Sequence, residues 1–165
     1  MLYIKTASTT DIPIIIDLSF RIWSNAYNHV IGEKQVAYML KLFYSTELLE
    51  EQMENLGHTF LICYNEKTPV AFAAYSIIEL NVFKLHKLYA LPDQQRSGLG
   101  SFMLSHIIDN LKKQHATALR LNVNRYNYPA KAFYAKMGFK HFSDEDIDIG
   151  GGFFMNDHVL ELGLL

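Results

Sequence analysis

A mixed β-sheet with helices packed on its faces is the fold class that the sequence predicts, and three observations carry it. A short strand pattern at the start is followed by segments of helical period. Three strand patterns then run in succession from His58 to Leu91. After them helix and strand alternate, and the chain closes on two strand patterns joined by Gly150-Gly151-Gly152. Helical connections between strands put helices against the faces of the sheet.

Tyr3 to Ala7 reads as the first strand. Ser8-Thr9-Thr10-Asp11 offers helix caps, and Pro13 suits a first helical turn. Ile12, Ile15, Ile16, Ile22, Trp23, Ala26 and Val30 then keep helical spacing, with Ser19 the exception. Two further helices are expected over Glu33 to Phe43 and Glu47 to Asn55, and Gly57 ends that region. His58 to Tyr64 is a strand, Asn65 to Pro69 a hairpin turn, Val70 to Ile78 the second strand and Val82 to Leu91 the third. Gly98 to Lys113 reads as a helix with Leu99, Phe102, Met103, His106, Ile107 and Leu111 along one broad face. Ala118 to Val123 is a strand, and Ala130 to Met137 a helix stopped by Gly138. Phe139 to Ile147 and Phe153 to Leu162 form the closing strand pair.

The 165 residues show no repeat, low-complexity tract or Pro/Gly/Ser linker, so residues 1–165 are read as one domain. A net charge of -2 and a pI of about 6.4 argue against a nucleic-acid surface, which needs a basic patch. No apolar run approaches the roughly 18–20 residues that span a bilayer, and the first residues lack a signal-peptide pattern. The expectation is a soluble cytoplasmic domain with no membrane partner. Cys63 is the single cysteine, which excludes an internal disulfide, and its apolar setting reads as a buried strand rather than a nucleophile. The seven histidines include no i, i+4 pair, so no metal site is expected.

The segment Gln95-Arg96-Ser97-Gly98-Leu99-Gly100-Ser101 lies between a strand and a helix. A helix N-terminus presents unpaired N–H groups and the positive end of a dipole, which together bind phosphate. Glycine lets the backbone come close, and Arg96 adds charge. A plain strand-to-helix turn with two glycines is the alternative on spacing alone. The loop is not GxxxxGK[ST], because no Lys-Ser or Lys-Thr follows. It is not GxGxxG, because Met103 stands where the third glycine belongs.

Gln95-x-x-Gly98-x-Gly100, preceded by Leu85-His86-Lys87-Leu88-Tyr89-Ala90-Leu91-Pro92, resembles the acetyl-CoA-binding motif of the GCN5-related N-acetyltransferase (GNAT) superfamily. Asn127-x-x-Ala130-x-x-Phe133-Tyr134-x-x-x-Gly138-Phe139 is similar to that family's second signature. The resemblance covers roughly Phe60 to Leu162; the first sixty residues agree only in helical layout. It implies an acetyltransferase fold and direct transfer of acetyl from acetyl-CoA to a primary amine, with no metal and no covalent enzyme intermediate. An alkylammonium has a pKa near 10.4, so roughly one in a few thousand is neutral at pH 7. The reaction therefore needs a proton acceptor, and an acid for the departing thiolate.

By that resemblance Tyr134 is the acid. Its other reading is aromatic packing, in a chain with ten tyrosines. Asn127, seven residues earlier and on the same helical face, caps the helix, bonds the pantetheine arm, or both. Lys84 stands where relatives often carry a glutamate, so His86, relaying through water, and Glu79 are the candidate bases. The backbone of Leu88, Tyr89 and Ala90 is expected to pair with the pantetheine amides and to stabilise the oxyanion. Lys136 reaches a phosphate or is a solvated helix charge. Trp23, Tyr27 and His29 border the acceptor side, where aromatics hold a cationic amine or simply pack the core. The expected acceptor is a small-molecule amine, polyamine-like or other. The alternatives are a protein N-terminus or lysine, and a non-catalytic acyl-CoA-binding module. A homodimer through the C-terminal strands is a further expectation.

Overall fold

The computed structural model describes residues 1–94 and 98–165; the expected ligand residues Gln95, Arg96 and Ser97 lie outside the described residues. The strands are β1 (Leu2–Thr6), β2 (Thr59–Asn65), β3 (Thr68–Glu79), β4 (Val82–Ala90), β5 (Ala118–Asn124), β6 (Lys140–Gly150) and β7 (Phe153–Gly163). The helices are α1 (Ile12–Ala26), α2 (Asn28–Ile31), α3 (Glu33–Phe43), α4 (Thr46–Glu54), α5 (Leu99–Lys113) and α6 (Tyr128–Lys136). One seven-stranded sheet runs in the order β1-β2-β3-β4-β5-β7-β6. Its only parallel pair among the described residues is β4 with β5, across the α5 crossover.

Alternation along the strands sends side chains to two cores. On one face Leu61, Ala71, Ala73, Leu119 and Leu121 pack with Leu99, Met103, Leu104, Ile107 and Leu111 of α5. On the other Phe60, Ile62, Phe72 and Ala74 pack with Ile12, Ile15, Leu18 and Ile22 of α1. Each such fully buried aliphatic side chain contributes about 1.5–3 kcal/mol, so α1 and α5 clamp the sheet from both sides. Ser19, the polar exception on α1, is buried and satisfied locally, its Oγ donating to the Ile16 carbonyl at 2.8 Å. The helix expected to continue to Val30 breaks at Tyr27, and Gly32, at φ 90°, closes the short α2.

One irregularity shapes the sheet. Ala74 pairs with Lys87 but Tyr75 pairs with Leu85, so His86 is an extra residue in β4. Before this bulge Phe83 and Leu85 face α5; after it Lys87 and Tyr89 face the α1 side. Pairing of β4 with β5 stops at Leu85 and Leu121, although both strands continue. The two strands therefore diverge, with residues 86–90 on one side and 122–124 on the other.

Candidate active site

Three segments converge on that divergence. The first is the start of α5. Gly98 caps it in the left-handed conformation, φ 78°, where a side chain is strained. Gly100 serves packing: a Cβ there would lie 3.2 Å from the Phe133 ring, so its absence seats α5 against α6. Ser101 joins the two helices, its Oγ lying 3.8 Å from Met137 Sδ. Leu99 has its side chain buried in the core, which leaves only its backbone for a ligand.

The second segment is α6. Asn127 caps it, its Oδ1 accepting from the Ala130 N–H at 3.3 Å, and Pro129 occupies the first turn. The Asn127 side chain also engages the Tyr27 hydroxyl. Tyr134 sits between Phe133 and Phe139, with ring centroids at 5.1 and 5.5 Å. Burial raises its phenol above the ordinary value, and neighbouring Tyr27 adds to the shift. Tyr134 therefore stays protonated at neutral pH, the form an acid needs.

The third is an aromatic wall from α1 and β4. Trp23 lies 4.8 Å from Tyr27 and 5.4 Å from Tyr89, and Tyr27 meets Tyr89 edge-on at 6.0 Å. Tyr44 and Phe72 extend it. Burial pushes the Tyr27 phenol up to about 12, with Asn127 partly offsetting the rise. Beside this wall Lys87 is buried, its Nζ donating to Gln52 Oε1 at 3.1 Å and lying over the Tyr44 and Phe60 rings. Burial lowers its pKa to about 8.

The structure thus brings Trp23, Tyr27, Tyr89, Asn127 and Tyr134 together and leaves other expected residues aside. Leu88 and Ala90 flank Tyr89 on the diverging stretch of β4 and pack toward α5. Glu79 is at the far end of β3, opposite Val82, about 25 Å of strand from Ala90. Its carboxylate accepts from Arg120 at 2.9 Å, an ion pair that Arg120 shares with Glu161. His86 stacks on His58 at 4.2 Å, and its Nε2 lies 2.6 Å from Ser76 Oγ. Burial, then the charges of His58, Lys84 and Lys87, lower its pKa to about 3. It is neutral at pH 7 but holds a proton weakly. His29 is exposed on α2 and Lys136 is exposed in the last turn of α6. Cys63 is fully buried, and burial pushes its thiol up to about 11, which fits a strand residue.

Sequence reasoning assigned no role of their own to Lys87, Asn122 and Asp157. Asn122 and Asp157 share a face of β5 and β7, and the Asn122 amide donates to Asp157 Oδ2 and Glu145 Oε2, both at 3.2 Å. The signal available was Asp157 itself, an acid next to the apolar run of β7. Two histidines that look scattered also meet: Asp144 Oδ1 lies 2.6 Å from His158 Nδ1 and 2.8 Å from His141 Nε2. A bulge between His141 and Ser143 turns His141 to the same side as Asp144. The nitrogen and oxygen atoms of the three fall within 4.8 Å of one another. The carboxylate is engaged by both rings, a closed hydrogen-bonded triad on the face opposite Asp157.

A diverging parallel strand pair, a glycine-capped helix at its mouth and an Asn/Tyr helix beside it define the acyl-CoA N-acyltransferase class of fold. The acetyltransferase (GNAT) family model matches residues 22–139, and the chain belongs to that family. Over 69 residues the chain is 39% identical to the ribosomal protein bS18-alanine N-acetyltransferase of Escherichia coli K12, a match covering 42% of the chain and 46% of that relative. The chain thus spans about half the length of the curated relatives it matches. Among solved structures it is similar to the PaiA N-acetyltransferase of Thermoplasma acidophilum in complex with coenzyme A, with TM-score 0.83, 26% identity and 99% of both chains covered. The solved Escherichia coli ribosomal-protein-S18-alanine N-acetyltransferase matches in fold, with TM-score 0.76, 23% identity, and 99% and 94% covered.

Proposed function

We propose that the protein transfers an acetyl group from acetyl-CoA to the primary amine of a small molecule. The observation that carries this reading is the β4–β5 divergence, with Asn127 and Tyr134 beside it and the α5 N-terminus at its mouth. Extended backbone over 86–90 suits pairing with the amides of a pantetheine arm. The first turn of α5 suits the pyrophosphate. Coenzyme A in the Thermoplasma acidophilum relative, which aligns over 99% of both chains, supports that assignment.

The chemistry then follows from protonation states. The amine enters as an ammonium and must lose one proton before its lone pair attacks the thioester carbon. A C–N bond forms and the carbonyl oxygen takes up charge, which backbone N–H groups along Leu88–Ala90 stabilise. The C–S bond then breaks. Tyr134, kept protonated by burial, gives its proton to sulfur and recovers one from the nitrogen.

A small acceptor is favoured by how the acceptor side is closed. The β6–β7 hairpin is tied to α3, with Gln35 Nε2 donating to the Phe154 carbonyl and the Tyr38 hydroxyl to that of Ile149, both at 2.7 Å. The wall of Trp23, Tyr27 and Tyr89 suits a cation. A protein N-terminal amine is the second reading, favoured by the 39% identity to the bS18-alanine enzyme. The test is release of CoA thiol from acetyl-CoA with polyamines, amino acids, aminoglycosides and N-terminal peptides. Turnover with small amines is the expected result. Turnover with peptides alone establishes the second reading. Tight acetyl-CoA binding without turnover on any acceptor replaces both by a binding module.

A further inference from the structure

A carboxylate taken out of water needs a counter-charge or a full set of hydrogen bonds. Among the described residues Asp157, on β7, finds neither. It is 3% exposed, and the one hydrogen-bond donor those residues offer it is the neutral Asn122 amide. Among the described residues no lysine, arginine or histidine lies within ion-pair distance of it. Lys84 of β4 and Arg125 after β5 act on it only at longer range, and Arg125 is paired with Asp146 at 3.1 Å. Glu145, across the strand pair on β6, adds a second negative charge on the same amide. Asp157 pairs with Asn124 at the end of β5, beyond the point where β4 has left β5, and its charge acts on Tyr89 of the aromatic wall. The site therefore holds a buried carboxylate where β5 parts from β4, on the side of the sheet that carries the aromatic wall, and among the described residues no cation is paired with it, the buried Lys87 beside that wall being held by Gln52.

Resting on the acetyltransferase reading above, we propose that Asp157 receives the substrate's ammonium and takes its proton before the attack. One N–H proton moves to the Asp157 carboxylate, which leaves the neutral amine. The second N–H proton leaves as the C–N bond forms and reaches sulfur by way of Tyr134, so the products are the amide, CoA thiol and one proton released from Asp157. Burial, reinforced by Glu145 and eased by Asn122, Lys84 and Arg125, raises this carboxyl above its ordinary value and makes it a better proton acceptor than a surface aspartate. His86, held to Ser76, and Glu79, held to Arg120, are less suited to the task.

The experiment compares wild type and Asp157→Asn across pH. The variant is expected to lose about 100-fold in kcat/KM at pH 7 while binding acetyl-CoA as wild type does in calorimetry. Its rate should then climb about tenfold per pH unit and approach wild type near the amine's own pKa, where the substrate deprotonates unaided. Activity within about threefold of wild type at pH 7, or a gap constant from pH 6 to 10, overturns the proposal. If Asp157→Asn does not fold, Asn122→Ala is read instead. Losing the amide's bond should move the acid limb of the kcat/KM profile to higher pH, and an unmoved limb overturns the proposal. A wild type with no turnover on any amine overturns the acetyltransferase reading itself. An active wild type beside an unaffected variant overturns only the role of Asp157.

Discussion

Tyr134 and Asn127 each serve two purposes that chemistry makes compatible. Tyr134 fills the space between Phe133 and Phe139, and the burial that packing requires also keeps its phenol protonated. Asn127 uses its oxygen to cap α6 and its side chain to hold Tyr27. Removing only the Tyr134 hydroxyl separates the two purposes. Tyr134→Phe is expected to fold, to keep acetyl-CoA binding in calorimetry, and to lose about 100-fold in kcat for want of an acid. Equal losses in binding and turnover would reduce Tyr134 to a packing residue.

At the scale of elements, the join of β4 to α5 concentrates the geometry. A Cβ at Gly98 meets nothing within 4 Å, so Gly98→Ala carries no clash, only the cost of a left-handed backbone. That cost is about 1–2 kcal/mol, to be read as a lower denaturation midpoint. The bulge at His86 does the rest. It turns Lys87 and Tyr89 to the α1 side and lies just past Leu85, the last residue of β4 that pairs with β5. The glycine start of α5 and the asparagine-capped α6 were legible in the sequence, because each requires particular residues at fixed offsets. The bulge was not, because it is a register shift between two strands and nothing in His86 itself marks it as the extra residue.

For the whole molecule, acid is the revealing variable. Burial is the largest cause lowering His58 to about 4 and His86 to about 3, against an ordinary 6.5. Between those folded values and 6.5 the unfolded chain binds protons that the folded chain does not. Stability is therefore lost as pH falls through that window. Melting temperature should drop between pH 6.5 and 5, and a His58→Phe, His86→Gln double variant should flatten the drop. An identical slope in the double variant would show that these two rings do not drive it. At the sheet's margin β6 exposes Asp144, Glu145, Asp146 and Asp148, an arrangement that opposes edge-to-edge pairing, so the dimer expected through the C-terminal strands draws no support from this edge.

The order of strands and helices was determined by the sequence alone, because periodicity, caps and turn glycines are local properties of a chain; Tyr134 and Asn127 became candidates through the resemblance of their segment to a family signature. Trp23 and Tyr27 were acceptor-side candidates through the same resemblance, with core packing as their other reading, and the structure gathers both into one aromatic cluster with Tyr89. Which carboxylates are buried and which are held in ion pairs was decided only by tertiary structure. Glu79 is nearer to the motif in the chain but lies in an ion pair at the far end of the sheet. Asp157 comes from the last strand and is buried beside the site by pairing with β5 and β6. Burial and counter-charge belong to neighbours distant in sequence, and they set a carboxylate's chemistry.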